Sequence, residues 1–112
     1  MNVIGDVKDR NVLMVDDLID TGGSITQAAK AVRKLGAKDI YACCTHALLS
    51  GDAVEKIEKS PINEFACTDT VPMKPEVKSD KIRILTASKI IGESIRRIFN
   101  EESISSLFVN QR

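Results

Sequence analysis

The sequence lacks tryptophan, and aromatic residues make up only 4% of its 112 positions. It also lacks an excess of either charge: 16 basic residues balance 16 acidic ones. Nucleic acid and anionic membranes both select basic proteins, so neither partner is expected. No apolar run approaches the roughly 20 residues that cross a bilayer. The opening MNVIGDVKDR has no basic stretch followed by an apolar one, so no signal peptide is read and a cytoplasmic location is expected. There is no Cys-x-x-Cys pair. The three cysteines, Cys43, Cys44 and Cys67, sit in apolar runs and read as free buried thiols, not as zinc ligands or disulfides. The single histidine, His46, has no partner at metal-ligand spacing.

What is present is a core: 43% of the residues are hydrophobic, enough for one ordinary domain spanning 1–112. Asn11 to Val15 is a short apolar run ending at Asp16, read as a buried strand. Ser24 to Leu35 has helical periodicity, with Ile25, Ala28, Ala29, Val32 and Leu35 on one face and Gly36 just past its end. Asp39 to Thr45 is again strand-like, which completes a β-α-β unit with parallel strands. A short helix follows, with Ala53, Val54 and Ile57 inward. Asn63 to Thr68 is a third strand, residues 69–81 a charged loop with two prolines, and Ile82 to Thr86 a fourth strand. Ser88 caps a last helix reaching about Asn100, with Ile91, Ile95 and Ile98 on one face. The tail ends in an apolar cluster of Ile104, Leu107, Phe108 and Val109. The order gives an α/β fold with a mostly parallel sheet flanked by helices.

The stretch VLMVDDLIDTGGSI places Asp16, Asp17 and Asp20 beside a Gly-Gly pair. In an open parallel sheet, ligands sit beyond the carboxyl ends of the strands. Gly22, Gly23 and Ser24 lead into a helix whose first N–H groups and dipole attract an anion, and Thr21 and Ser24 add hydroxyls. The nucleotide P-loop pattern is absent. Ionised carboxylates are pure acceptors, suited to vicinal sugar hydroxyls or hydrated Mg²⁺. A phosphorylated pentose offers both a phosphate and a diol, so it answers both halves of the stretch. Two other readings compete. One is a tight turn with Ser24 as N-cap. The other is a response-regulator receiver, which also ends its first strand in paired acids. The receiver needs a further Asp at the end of a later strand, whereas Asp52 stands where a helix is starting.

The order strand, Asp16-Asp17, two apolar residues, then Asp20-Thr21-Gly22-Gly23-Ser24 resembles the phosphoribosyl-pyrophosphate motif of type I phosphoribosyltransferases and ribose-phosphate pyrophosphokinases. GAKDIYACCTHALLSG and the ending IRRIFNEESISSLF are similar to segments of the pyrophosphokinase family in particular. That resemblance implies a phosphoribosyltransferase-like fold. It implies that Asp16, Asp20, Thr21, Gly22, Gly23 and Ser24 hold ribose 5-phosphate, with Asp17 at the hydroxyl or metal side. It further implies that Ser103, Ile104, Ser105, Ser106, Leu107 and Phe108 contribute to a regulatory phosphate or ADP site at a subunit interface. The family moves a pyrophosphoryl group from ATP to ribose 5-phosphate with Mg²⁺, making phosphoribosyl pyrophosphate (PRPP) for nucleotide biosynthesis as a homo-oligomer. The resemblance covers only the family's C-terminal part. The family's ATP contacts, metal-binding His and flexible catalytic loop belong to an N-terminal domain without counterpart in these residues. The chain by itself is therefore expected to be inactive, with no catalytic residue of its own. A stand-alone phosphate-binding regulatory module and a piece of a type I phosphoribosyltransferase are the alternatives.

Overall fold

A computed structural model of the chain describes residues 5–108. Four strands, β1 (Val12–Ile19), β2 (Ile40–Ala47), β3 (Glu64–Thr68) and β4 (Ile82–Leu85), form one sheet in the order β1-β2-β3-β4. Every pairing is parallel. Helix α1 (Gly23–Lys34) connects β1 to β2, and α2 (Ala53–Lys59) connects β2 to β3. An open loop leads to β4, which is followed by α3 (Ser88–Phe99) and a 3₁₀ turn, Ser105–Leu107.

The strands read as expected in type but not in length. β1 runs on through Asp16, Asp17, Leu18 and Ile19, and β2 reaches Ala47, so His46 lies inside a strand and not after it. Acidic residues disfavour strands, but the ladder to β2 carries the strand past them: Asp16 stands opposite Cys44, Leu18 opposite His46 and Ile19 opposite Ala47. Partnership with a neighbouring strand decides the boundary, and sequence pattern does not carry it.

The core lies on one face of the sheet. Ile40, Ala42, Cys44, Phe65 and Cys67 point toward Ile25, Ala29 and Val32 of α1 and Ala53 and Ile57 of α2, all buried. This is the alternation expected of strands, met by the 3.6-residue period of two helices. Leu35, placed by periodicity with the inner stripe, is 53% exposed because the helix has already ended at Lys34. Gly36, at φ +94°, closes the helix: its N–H donates to Arg33 O and that of Ala37 to Val32 O, the two bonds of a Schellman cap. A Cβ at Gly36 would stand 3.1 Å from Lys8 Cγ, so both conformation and space ask for glycine. Lys81, just before β4, donates to Glu58 O and Ser60 O at the end of α2, where a cation meets the free carbonyls.

The opposite face is different. Leu13 and Val15 are 64% and 71% exposed, and Leu85 is 62% exposed. Parallel sheets are ordinarily covered on both faces. α3 buries none of its residues: Ser88 opens the helix, Ala87 precedes it as the cap, and Ile91, Ile95 and Ile98 form an exposed stripe. Val109 of the expected tail cluster lies outside the described residues, while Phe108 is 46% exposed.

Candidate functional site

The loops β1–α1 and β2–α2 leave the same edge of the sheet, as parallel strands require. The first loop is Asp20 to Gly22. Gly22 caps α1 in the left-handed region, φ +79°, where a side chain is costly. No side chain caps this helix, and its first turn holds no acidic residue. The N–H groups of Gly23, Ser24 and Ile25 precede the first intrahelical bond, Thr26 N–H to Gly22 O at 3.1 Å. Ser24 is therefore not the N-cap; it sits within the first turn, beside these free donors.

The second loop braces the first. Leu48 N–H donates to Ile19 O at 2.9 Å and Ser50 N–H to Asp20 O at 2.8 Å. Leu49, held at φ +51°, is buried beneath them. Ala53, at the start of α2, is the nearest neighbour of Gly22. Two loops far apart in sequence thus fix the shape of the glycine turn, a dependence that no local motif records.

An open cavity of about 210 Å³ sits above this turn, lined by Asp16, Leu18, Ile19, Asp20, Thr21, Gly22, Gly23, Ser24 and Ile25. Six of the seven residues singled out in the sequence as a ribose-phosphate site thus share one cavity. The seventh, Asp17, is exposed on β1 and is not in the lining. Its N–H donates to Asp16 Oδ1 at 2.8 Å, which steadies one oxygen of that carboxylate and leaves the other free to accept. The cavity is open to solvent and smaller than the 300 Å³ or so of an enclosed drug-sized pocket.

Beside this cavity, on β2 and the chain after β3, a cluster of hydroxyls gathers. His46 Nδ1 lies 2.7 Å from Thr70 Oγ1, and Thr68 Oγ1 donates to Thr45 O at 2.7 Å. His46 is exposed and bonded to that hydroxyl. Asp69 accepts the N–H of Ala87 at 2.8 Å, and that bond, with one from Thr86, holds its carboxyl below the usual range. The residues of the expected regulatory segment lie apart from the cavity. Arg97 Nη1 donates to Ser106 Oγ and to Ser103 O, Ser103 Oγ lies 2.8 Å from Ser105 Oγ, and Ile104 and Leu107 are half-buried. They form one surface with α3 and contribute nothing to the lining of the glycine-loop cavity.

Among the described residues no group of three or more His, Cys, Asp or Glu is placed to hold a metal ion. Asp16 and Asp20 nevertheless both line the cavity. Mg²⁺ is commonly held by one or two carboxylates plus phosphate oxygens of the substrate, so this pair fits an ion that arrives with its ligand.

The fold and this edge define a class: an α/β domain with an uncapped glycine turn at the carboxyl edge of a parallel sheet and carboxylates alongside. The chain belongs to the family described as the phosphoribosyl synthetase-associated domain, which matches residues 1–109. It is 48% identical over 109 residues to a ribose-phosphate pyrophosphokinase of Campylobacter jejuni, covering 97% of this chain and 35% of that protein. It is 46% identical to one of Clostridium acetobutylicum, covering 96% of this chain and 34% of that protein. The crystal structure of phosphoribosylpyrophosphate synthetase from Mycobacterium smegmatis superposes with a TM-score of 0.85 at 32% identity, over 88% of this chain and 33% of that one. The chain thus spans about a third of the length of the relatives it matches. Their names fall on the pyrophosphokinase side of the motif, not that of the type I phosphoribosyltransferases.

Proposed function

We propose that this chain is the ribose 5-phosphate and PRPP-binding part of a ribose-phosphate pyrophosphokinase, in which the rest of the enzyme brings ATP. The observation that carries the reading is the uncapped start of α1: free N–H groups at Gly23 and Ser24 share a cavity with Asp16 and Asp20. The 5-phosphate sits on the glycine end, bonded by those N–H groups and the Thr21 and Ser24 hydroxyls. The free oxygen of Asp16, with Asp20, accepts from the ribose hydroxyls, which orients C1 toward the ATP side. Asp17, across the strand, adds charge on the metal side. Mg²⁺, when bound, supplies charge neutralisation to the pyrophosphoryl group, and Asp16 and Asp20 are the residues that would hold it. Transfer of this kind is chiefly positioning and charge stabilisation, and positioning is the share carried by these residues. The reading includes a regulatory phosphate contact at Ser103–Phe108, a homo-oligomeric whole enzyme, and a cytoplasmic setting in which Cys43, Cys44 and Cys67 remain thiols.

Calorimetry with ribose 5-phosphate tests it. Wild type is expected to bind, and the pair Asp16→Ala with Gly23→Val is expected to lose binding. Gly23 is a good place for the lesion because an added Cβ meets nothing closer than Thr21 Oγ1 at 3.9 Å, so the fold should tolerate it while the cradle is filled. Equal heats from the two proteins would sink the reading. A polypeptide of these 112 residues, given ATP and ribose 5-phosphate, is expected to form no PRPP, because it spans a third of its relatives. Product above a buffer control would show that the ATP contacts reside here after all.

A further inference from the structure

Thr26 is one of two buried polar residues among the described residues, at 4% exposure, and the sequence motif gives it no role. Its Oγ1 donates to Gly22 O at 2.7 Å and lies 3.2 Å from Gly23 O. A hydroxyl has one proton, so the Gly22 bond dominates and Gly23 shares it. The two carbonyls it reaches are those of the glycine turn.

A trans peptide unit is planar, and its C=O and the following N–H point in opposite directions. The described peptides are all trans. When Thr26 draws the Gly22 carbonyl toward the helix body, the Gly23 N–H must point the other way. When it draws the Gly23 carbonyl, the Ser24 N–H follows. Gly22, Gly23 and Ser24 all line the cavity, and the Gly23 and Ser24 N–H groups precede the first intrahelical bond of α1. Glycine needs such an outside restraint, since it has many accessible backbone states. The Thr26 N–H bond to Gly22 O and the β2–α2 loop act on the turn already, and with no N-cap side chain on α1 the Thr26 hydroxyl is the side-chain restraint that adds to them.

We infer that Thr26 is the positioning residue of the phosphate seat, pre-aiming the Gly23 and Ser24 N–H groups from inside the helix. The inference rests on the proposed function, because it needs an anion in that seat. The simpler alternative is that Thr26 merely satisfies its own hydroxyl on the preceding turn, as helical threonines often do.

Three forms of the chain separate these possibilities: wild type, Thr26→Val, which keeps shape and loses the hydroxyl, and Thr26→Ser, which keeps the hydroxyl. Each is titrated with inorganic phosphate and with ribose 5-phosphate by calorimetry, and amide shifts of Gly23 and Ser24 are followed by NMR. Loss of one well-made hydrogen bond is expected to weaken binding by roughly ten-fold in the valine variant. Its two amides should respond less to phosphate at saturation, and serine should restore both readouts to within about two-fold of wild type. A valine variant that stays folded and binds like wild type, with the same amide responses, overturns the role of Thr26 and leaves the proposed function standing. A folded wild type that binds neither phosphate nor ribose 5-phosphate overturns both. If valine unfolds the chain, Thr26→Ala, which also lacks the hydroxyl, decides: weakened binding with smaller Gly23 and Ser24 responses in folded protein supports the role, and wild-type binding and responses overturn it.

Discussion

Gly22 and Gly23 are neighbours of one type, yet the fold asks different things of them. At Gly22 the space would admit a methyl group, whose nearest contact is Ala53 Cβ at 3.6 Å, but the backbone at φ +79° resists one. Gly22→Ala is expected to cost about 1–2 kcal/mol, the penalty for a side chain in the left-handed region. Gly23 has helical backbone and open space, so Gly23→Ala is expected to be neutral or mildly stabilising. Urea titration of both variants checks the contrast, and equal costs would mean the turn is not held as described. Cysteines give a second contrast. Burial first, and then the neighbouring Cys67 and Cys43 sulfurs, push the Cys44 thiol up to about 11. Burial also raises Cys67. A thiol raised by folding stabilises the folded chain fully below its ordinary value of 9.0 and loses that contribution as pH climbs toward about 11. Iodoacetamide near neutral pH is therefore expected to modify Cys43, which is half-buried, ahead of Cys44 and Cys67, with stability falling above pH 9.0. Mass spectrometry showing Cys44 labelled first would contradict it. The acids and glycines of the site were legible because their spacing is local. Thr26 was not, since nothing in sequence distinguishes its hydroxyl from those of other helical threonines.

At the scale of elements, helix periodicity and strand type were readable, and their ends were not. β1 extends past Asp16 because β2 lies beside it, and β2 through His46 for the same reason. Local pattern cannot encode a partner 28 residues away, the separation of Asn11 and Asp39 in one of the bonds between these segments. α3 shows the opposite limit. Its stripe of Ile91, Ile95 and Ile98 is as regular as that of α1, yet it is exposed. A pattern states which face could be buried and leaves open what buries it. Charge organises α3: Glu93 accepts from both Arg96 and Arg97, which holds its carboxyl at about 2.

For the whole molecule, the one-sided core sets the distribution of stability. The radius of gyration is 16.5 Å, against about 13 Å for a compact domain of this length. Phe65 is fully buried between sheet and helices, and Phe65→Ala is expected to cost about 3–5 kcal/mol. Val15 occupies the open face, and Val15→Thr is expected to change stability by less than about 0.5 kcal/mol. Chemical denaturation of both variants would expose the error if Val15 proved the costlier. That α/β layering was readable from element order, since strand-helix-strand within so short a span admits a parallel pair almost alone. That one face would stand open was not, because β3 and β4 are joined by a loop whose composition says only that it is irregular.

The strand order has a consequence for how the chain reaches this shape. Each strand pairs with the one made just before it, Val12 with Ile40, Tyr41 with Glu64, Phe65 with Ile82. The intervals differ by less than a factor of two, so ring closure separates them by less than about 0.6 kcal/mol. Entropy therefore does not separate the pairs, and apolar burial does: the fully buried Ile40, Ile57, Ile62 and Phe65 gather around β2, α2 and β3. β4 arrives without a crossover helix of its own, so it is expected to be the first strand to fray, with amide exchange at Ile82–Leu85 faster than in β2.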